Sequence, residues 1–213
     1  MVASLFAISG IAAITRGLQD QRSVSHSRSV GDIPEIGSPK PKDGVFTGFA
    51  KPTSLSIPAV GITSDLTTVG KTAAGGIDTP KAPDFDKAAW YHDSPAPGQY
   101  GASVIVGHVD SYANGDGPSV FYALHKLKPG DQVLVSRDDG STVTFKVYAL
   151  REYGREKVPP QQVYDPHTGN AELRLITCSG TFDTASGEYT DNTVVFATMT
   201  SATPARDLSA KPS

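Results

Sequence analysis

Cys178 is the only cysteine of the chain, and its thiol is the first candidate for a reactive group. It ends an apolar run at residues 173–177 and is followed at once by Ser179 and Gly180. At a strand end that opens into small residues, a side chain can leave the core and meet solvent. A thiolate there would be a nucleophile for acyl transfer, whereas free cysteines are also commonly buried and inert. The position alone leaves both interpretations open.

His108 occupies a similar position after a different apolar run. Residues 103–106 predict a buried strand, and Gly107 separates that strand from the histidine. A histidine at one strand end can meet a thiol at another, where an imidazolium lowers the thiol pKa. The alternative is a loop histidine that makes one backbone hydrogen bond. The other histidines lack metal-ligand spacing, so the sequence predicts neither a metal nor a cofactor.

Arg174 is a candidate for stabilising the oxyanion that acyl transfer develops. Side chains alternate along a strand, so Arg174, Ile176 and Cys178 share one face. The Cα atoms of Arg174 and Cys178 would lie about 13 Å apart, and a long guanidinium arm could cover part of that distance. A surface ion pair is the alternative for Arg174, and backbone N–H groups after Cys178 are alternative donors.

Short apolar and β-branched runs recur from Lys51 onward and predict strands. The predicted strands are residues 55–57, 62–69, 103–106, 132–136, 142–150, 173–177 and 193–198. Asp139-Gly140 predicts a hairpin turn, and only residues 84–92 and 120–127 suggest helices. Short strands separated by turns favour an all-β fold, a closed or partly closed barrel with one or two short helices.

The composition narrows the class of protein. The 213 residues include 38% hydrophobic and 19% charged residues, which is enough to build a core. The formal net charge of −3 provides no basic surface for nucleic acid as a partner. A single cysteine excludes an intramolecular disulfide framework and a multi-cysteine metal site.

The chain divides into an apolar start, a polar stretch and a domain. Residues 1–15 are uncharged and mostly apolar, as in a signal-anchor, although a cleaved signal peptide and a core helix are alternatives. Residues 16–50 predict a flexible polar linker, residues 51–200 the domain, and residues 201–213 a frayed tail. This order is typical of a domain tethered outside a membrane.

Several segments of the domain together resemble the sortases, the cysteine transpeptidases of Gram-positive bacteria. The nearest subgroup is class F, which is common in actinobacteria. The segments that carry the resemblance are residues 55–61, 97–98, 106–110, 120–124, 130–131, 173–178, 189–192 and 194–197. Each segment alone is weak evidence for the family. The Gly-His and Ile-Thr-Cys elements are more specific, because they stand 70 residues apart and have the flanking residues that sortases have.

The resemblance implies an eight-stranded sortase-type barrel, anchored in the cell membrane with its catalytic domain outside. Cys178 would attack the Thr–Gly bond of an LPXTG-type sorting signal and form a thioacyl enzyme. His108 would protonate the leaving amine and later take a proton from the incoming one. An amine from a peptidoglycan precursor or a pilin lysine would resolve the intermediate. Ile176 and Val194 would line the apolar part of the substrate groove, or else belong to the core.

One departure from the family concerns the arginine that sortases carry on the strand after the cysteine loop. Here Asn192 stands at or near that place, beside Thr190 and Asp191, and the next arginine after Arg174 is Arg206. Either Arg174 takes the role of that arginine, which we favour because a cation binds developing negative charge, or Asn192 donates a hydrogen bond to the oxyanion. Both are expected catalytic residues.

Two other functions fit parts of the sequence. An L,D-transpeptidase would have a His and a Gly shortly before its cysteine and an Arg just after it, whereas Ile-Thr and Ser-Gly flank Cys178. A non-catalytic or degenerate cell-surface β-barrel domain with a buried thiol is favoured by the missing arginine.

Overall fold

The computed structural model describes residues 23–24, 29–32, 48–111, 117–165 and 169–204. The predicted apolar start at residues 1–15, most of the predicted linker and the tail beyond residue 204 lie outside these residues. Within these residues, we find no helix with the length and apolar character needed to cross a bilayer.

Eight strands form a closed barrel, which confirms the predicted fold class. They are β1 (Pro52–Ile57), β2 (Ile62–Val69), β3 (Ala88–Tyr91), β4 (Gly101–Val106), β5 (Gln132–Arg137), β6 (Thr142–Gly154), β7 (Ala171–Asp183) and β8 (Glu188–Thr203). Around the barrel the order is β7–β8–β6–β5–β1–β2–β3–β4, and β4 then pairs with β7. Closure removes the unpaired strand edges that an open sheet would expose.

Two of the eight strand pairings are parallel, and one of them closes the barrel. Strands β4 and β7 pair in parallel from Gly101 with Ala171 to Val106 with Ile176. Strands β2 and β3 form the other parallel pair, and the remaining pairs are antiparallel. The closing pair joins segments about 70 residues apart in sequence. Side chains at the carboxyl ends of β4 and β7 therefore lie at the same end of the barrel.

The largest cluster of buried apolar side chains contains alternate residues of several strands. Leu55 and Ile57 in β1 and Val133 and Val135 in β5 are almost completely inaccessible to solvent. Burying each such side chain stabilises the fold by about 1.5–3 kcal/mol. A second apolar cluster, which includes Val104, Phe196 and Val163, lies where the connection between β6 and β7 packs against the barrel.

All seven predicted strands are present, and β3 is the one barrel strand that the sequence did not predict. Residues 62–69 form a strand with the predicted bounds, and the others extend beyond the predicted ends. The prediction of a helix at residues 84–92 is wrong, because Ala88–Tyr91 is a strand in which every residue is buried. Pairing with β2 and β4 supplies hydrogen bonds that outweigh the local preference of these residues.

Helical structure is limited in the described residues. The helix α1 (Pro160–Val163) lies in the connection between β6 and β7, and 3₁₀ turns occupy Pro58–Val60, Leu124–Lys126 and Arg155–Lys157. The helix predicted at residues 120–127 is thus reduced to one 3₁₀ turn.

Two short segments inside the predicted linker pair with barrel strands. Ser23–Val24 pairs with β7, and Val30–Gly31 pairs with β6. The Arg151 side chain also donates hydrogen bonds to the carbonyl oxygens of Val30 and Gly31. At the other end, β8 reaches Thr203, three residues into the predicted tail. The rest of the linker prediction stays a prediction.

Candidate active site

Cys178 lies in β7 and is partly buried. It pairs with Asn192 of β8 in the antiparallel ladder, two residues beyond the Ile176–Val194 pair. The regular pairing is interrupted after Ser179, and Gly180 adopts a φ of 82°. A side chain at Gly180 would collide with Thr190 and Asp191. Glycine therefore permits the irregular backbone directly after the thiol.

His108 is the second residue after β4, at the same level as Cys178 on the neighbouring strand. Val106 pairs with Ile176, and the Gly107 N–H donates a hydrogen bond to the carbonyl oxygen of Ile176 at 3.2 Å. His108 is two residues after Val106, and Cys178 is two residues after Ile176. Neighbouring strands lie about 4.8 Å apart, so the barrel closure brings the imidazole and the thiol into adjacent positions.

The imidazole of His108 is held by the connection between β2 and β3. Its Nε2 lies 2.8 Å from the carbonyl oxygen of Pro80, and its ring stacks on Phe85 with centroids 3.9 Å apart. A carbonyl oxygen only accepts hydrogen bonds, so Nε2 carries the proton. In the neutral ring Nδ1 is then the nitrogen that can accept a proton.

A cleft of about 730 Å³ joins these side chains. The residues that line it include His108, Ile176, Cys178 and Asn192, so the structure brings together four of the six predicted site residues. Ile77, Val106 and Val158 add apolar surface. The cleft is large enough for several residues of an extended peptide and offers an apolar wall beside a thiol.

Arg174 is not among the residues that line the cleft. Its side chain is 4% exposed and forms an ion pair with Glu172 at 2.9 Å. It also donates a hydrogen bond to the carbonyl oxygen of Gln162 and lies over the Phe196 ring, 4.6 Å from its centroid. Strand alternation predicted that Arg174 shares a face with Cys178, but the connection carrying α1 covers that part of the face.

Val194 is fully buried and lies outside the cleft lining. It packs in the second apolar cluster together with Ile176, which is 9% exposed and reaches the cleft. Of the two residues predicted to line the groove, Ile176 is therefore in a position to touch a ligand, and Val194 supports it from behind.

Sequence reasoning did not single out Arg155, Glu156 and Glu188, which also line the cleft. Arg155 forms ion pairs with Glu188 and, at 3.6 Å, with Glu156. The available signal was weak, because a charged Arg-Glu-Lys run after a strand is typical of a solvated turn. Its place beside the thiol depends on how β6 and β8 pair.

The surroundings of Cys178 raise the pKa of its thiol above the ordinary value. Burial is the largest cause, and the carboxylates of Asp110 and Glu188 act in the same direction, whereas the Arg155 guanidinium lowers the pKa. The thiol is thus mostly protonated at neutral pH before a ligand binds. A cation or a proton acceptor near the sulfur has to favour the thiolate during a reaction.

In the described ranges, no three His, Cys, Asp or Glu side chains are arranged to hold a metal ion. The arrangement offers instead the parts of a covalent acyl transfer, namely a thiol, an imidazole, amide and guanidinium donors, and an apolar cleft.

Comparisons with known proteins agree with this arrangement. The family model described as the sortase domain matches residues 55–200, more than half of the chain. The fold is similar to sortase A from Corynebacterium diphtheriae, with a TM-score of 0.52 and 21% identity over 71% of this chain and 60% of that chain. For sortase A from Listeria monocytogenes the TM-score is 0.52 with 16% identity, covering 74% and 92% of the two chains.

A mutant of sortase E from Streptomyces avermitilis is also similar, with a TM-score of 0.50 and 20% identity over 78% of this chain and 97% of that chain. The chain spans less than two thirds of the C. diphtheriae protein that it matches. Among curated proteins, none matches the sequence significantly.

Proposed function

Since the chain belongs to the sortase family of cysteine transpeptidases, we propose that it cleaves an LPXTG-type sorting signal between Thr and Gly and transfers the protein to an amine. One observation carries the proposal. Cys178 lies in β7, His108 follows β4, the parallel partner of β7, and both side chains line one cleft. The class F assignment within the family stays a prediction.

In the acylation step, the Cys178 thiol passes its proton to Nδ1 of His108, and the resulting thiolate attacks the carbonyl carbon of the signal's threonine. The S–C bond forms, and the carbonyl π electrons move to the oxygen as a tetrahedral intermediate. When the intermediate collapses, the C–N bond to glycine breaks, and the imidazolium of His108 gives its proton to the leaving amine. The products are a thioester on Cys178, a free glycine amine and a neutral His108.

In the transfer step, an amine attacks the thioester carbon and the thiolate leaves. Neutral His108 accepts the proton that the attacking nitrogen loses and passes it to the departing Cys178 thiolate, so the enzyme returns to its starting state of thiol and neutral imidazole. The hydrogen bond from Nε2 to Pro80 leaves Nδ1 as the proton acceptor in the resting ring. Without an amine, water would resolve the thioester and the enzyme would act as a hydrolase.

The shape and polarity of the cleft are compatible with such a substrate. Ile77, Val106 and Ile176 form an apolar wall that suits the Leu-Pro part of the signal. Asn192 pairs with Cys178, which supports a role for its amide as a donor beside the scissile bond. The proposed acceptor is the amine of a peptidoglycan precursor or of a pilin lysine.

We place the domain at the outer face of the cell membrane of a Gram-positive bacterium, held by a single N-terminal anchor. The apolar residues 1–15 followed by a polar stretch support this location. The net charge of −3 supports a protein partner rather than a nucleic acid.

The test is intact mass spectrometry of the full chain after incubation with an LPXTG peptide. We expect an acyl adduct of the peptide's N-terminal part on Cys178 that hydroxylamine releases, and no adduct on Cys178→Ala. If wild type gives no adduct with a panel of peptides varied in the X and Leu positions, the proposal fails.

A second candidate, a non-catalytic cell-surface domain, is favoured by one observation, the raised pKa of the Cys178 thiol. The same experiment separates the two. A non-catalytic domain would bind the peptide without forming a thioester and would resist iodoacetamide at neutral pH.

A further inference from the structure

Arg155 is the only Arg or Lys side chain among the described residues that line the Cys178 cleft. It begins the Arg155–Lys157 turn directly after β6. Its side chain is 42% exposed, and two carboxylates of the same cleft, Glu156 and Glu188, pair with it. A cation is therefore held at the wall of the cleft that also contains Cys178, near enough for its charge to lower the pKa of the thiol.

The strand register explains how a residue of β6 comes close to a thiol in β7. Tyr153 pairs with Asn192, and Asn192 pairs with Cys178, so these three residues form one row across β6, β8 and β7. Gly154 pairs with Asp191, one step further along. Arg155 is the next residue, where the chain leaves the sheet about one strand spacing from β8. From this position a long side chain can extend over the row that contains Cys178.

The guanidinium has hydrogen-bonding capacity beyond its two ion pairs. It carries five N–H donors, and its ion pairs within the described part of the chain join Nη1 to Glu188 and Nη2 to Glu156. Glu188 also keeps the side chain from turning fully into solvent. An oxygen that gains negative charge near Cys178 would compete with these carboxylates for the same donors.

Two other cations among the described residues, Arg174 and Lys157, do not place a charged group at the cleft. Arg174 is committed to a buried ion pair with Glu172 and to the carbonyl oxygen of Gln162. Lys157 belongs to the same turn as Arg155 but is exposed and does not line the cleft.

We propose that Arg155 is the catalytic cation of this enzyme, whose guanidinium binds the carbonyl oxygen of the scissile threonine as that oxygen becomes negative. The inference rests on the proposed transpeptidase function, of which it names a further catalytic residue. When the S–C bond forms, the electron pair arriving on the oxygen is stabilised by guanidinium N–H donors that exchange Glu156 or Glu188 for the oxyanion. When the C–N bond breaks, the pair returns to the carbonyl and the ion pairs re-form.

The first test needs no sorting peptide. The rates at which Cys178 reacts with iodoacetate and with iodoacetamide are measured for the full chain, and their ratio is compared between variants. Both reagents need the same thiolate, so the ratio reports a cation beside the reaction path. Arg155→Ala should lower the ratio by about threefold, and the matched control Lys157→Ala should leave it unchanged. An unchanged ratio in Arg155→Ala overturns the proposal.

The second test measures the rate of thioester formation with an LPXTG peptide. Arg155→Ala should slow acylation by about 100-fold or more, as the loss of an oxyanion donor does, and Arg155→Lys should recover part of that loss. Lys157→Ala should stay within twofold of wild type. Equal acylation rates for Arg155→Ala and Lys157→Ala overturn the proposal. If wild type forms no thioester but the reagent ratio still falls in Arg155→Ala, the transpeptidase function fails while the place of the cation at the thiol is supported.

Discussion

The hydroxyl of Tyr189 donates a hydrogen bond to the carboxylate of Asp110. Tyr189 belongs to β8, three residues before Asn192, and Asp110 stands two residues after His108. The bond therefore joins the segment that carries the imidazole to the strand that lies beside the thiol. Tyr189 and Val109 are buried, and Phe182 and Cys178 pack against them.

Tyr189→Phe removes this link and keeps the aromatic packing. A hydrogen bond to a charged group contributes about 1.5–3 kcal/mol, so we expect the free energy of unfolding to fall by about 1.5 kcal/mol. We also expect kcat to fall severalfold at a similar KM, because the His108 segment is less well positioned. Urea denaturation and steady-state kinetics check the two effects. A variant with unchanged kcat would show that the bond has no role in positioning His108.

The pH dependence of Cys178 alkylation tests the charge of Asp110. Burial and the Asp110 carboxylate raise the pKa of the thiol, so the rate should increase with pH as the thiolate forms. Asp110→Asn keeps an acceptor for Tyr189 and removes the negative charge. The profile should therefore move to lower pH, with a severalfold faster rate at neutral pH. A profile that stays in place or moves to higher pH would contradict the electrostatic account.

Cys178→Ala should abolish peptide cleavage and leave the fold intact. The thiol lies at the edge of the cleft, so its loss should change the free energy of unfolding by no more than about 1–2 kcal/mol. Thermal melting and a cleavage assay check both parts. Residual cleavage at more than a trace of the wild-type rate would mean that another residue is the nucleophile.

Arg174→Met separates a structural from a catalytic role of Arg174. The substitution leaves the buried Glu172 with the Tyr148 hydroxyl but without its cationic partner, which should cost about 3–5 kcal/mol of stability. Adding Glu172→Leu should restore most of it. At a temperature where the variants are folded, the acylation rate should remain within about tenfold of wild type. A loss of about 100-fold or more in the folded double variant would instead support Arg174 as the oxyanion donor.

Asn192→Ala tests the amide that pairs with the thiol in the strand register. We expect thioester formation to slow by about tenfold, because one neutral hydrogen-bond donor beside the carbonyl is lost. Asn192→Asp should slow it further, since a carboxylate repels the oxyanion. The measurement is single-turnover acylation followed by mass spectrometry. Equal rates in all three proteins would remove Asn192 from the mechanism.

Strand positions were predictable because each strand carries its own periodicity. Val133 and Val135 alternate with more exposed residues, and Asp139-Gly140 marks the hairpin before β6. Ala88–Tyr91 carries no such alternation, since both of its faces are covered. A fully buried strand of this length cannot be distinguished from a helical segment without its partners.

The candidate site was predictable in part. Cys178 and His108 were candidates because each follows an apolar run, and the resemblance to the sortases paired them. The strand end predicted at Cys178 is wrong, because pairing with β8 extends β7 to Asp183. The direction of the Arg174 side chain could not be predicted, because the segment that covers it, with Gln162 and α1, follows a different strand. Arg155 was missed for the same reason, since its approach to the thiol results from the register of β6 and β8.

The thiol and the imidazole become neighbours only through the pairing of β4 with β7, a contact between distant parts of the chain. Contacts of large sequence separation carry a high entropic cost and typically form late in folding. A nascent or partly folded molecule thus carries the Cys178 sulfur without His108 beside it. The chemistry proposed for this cleft requires these two edges to have joined, so catalytic competence would report that this long-range pairing has formed.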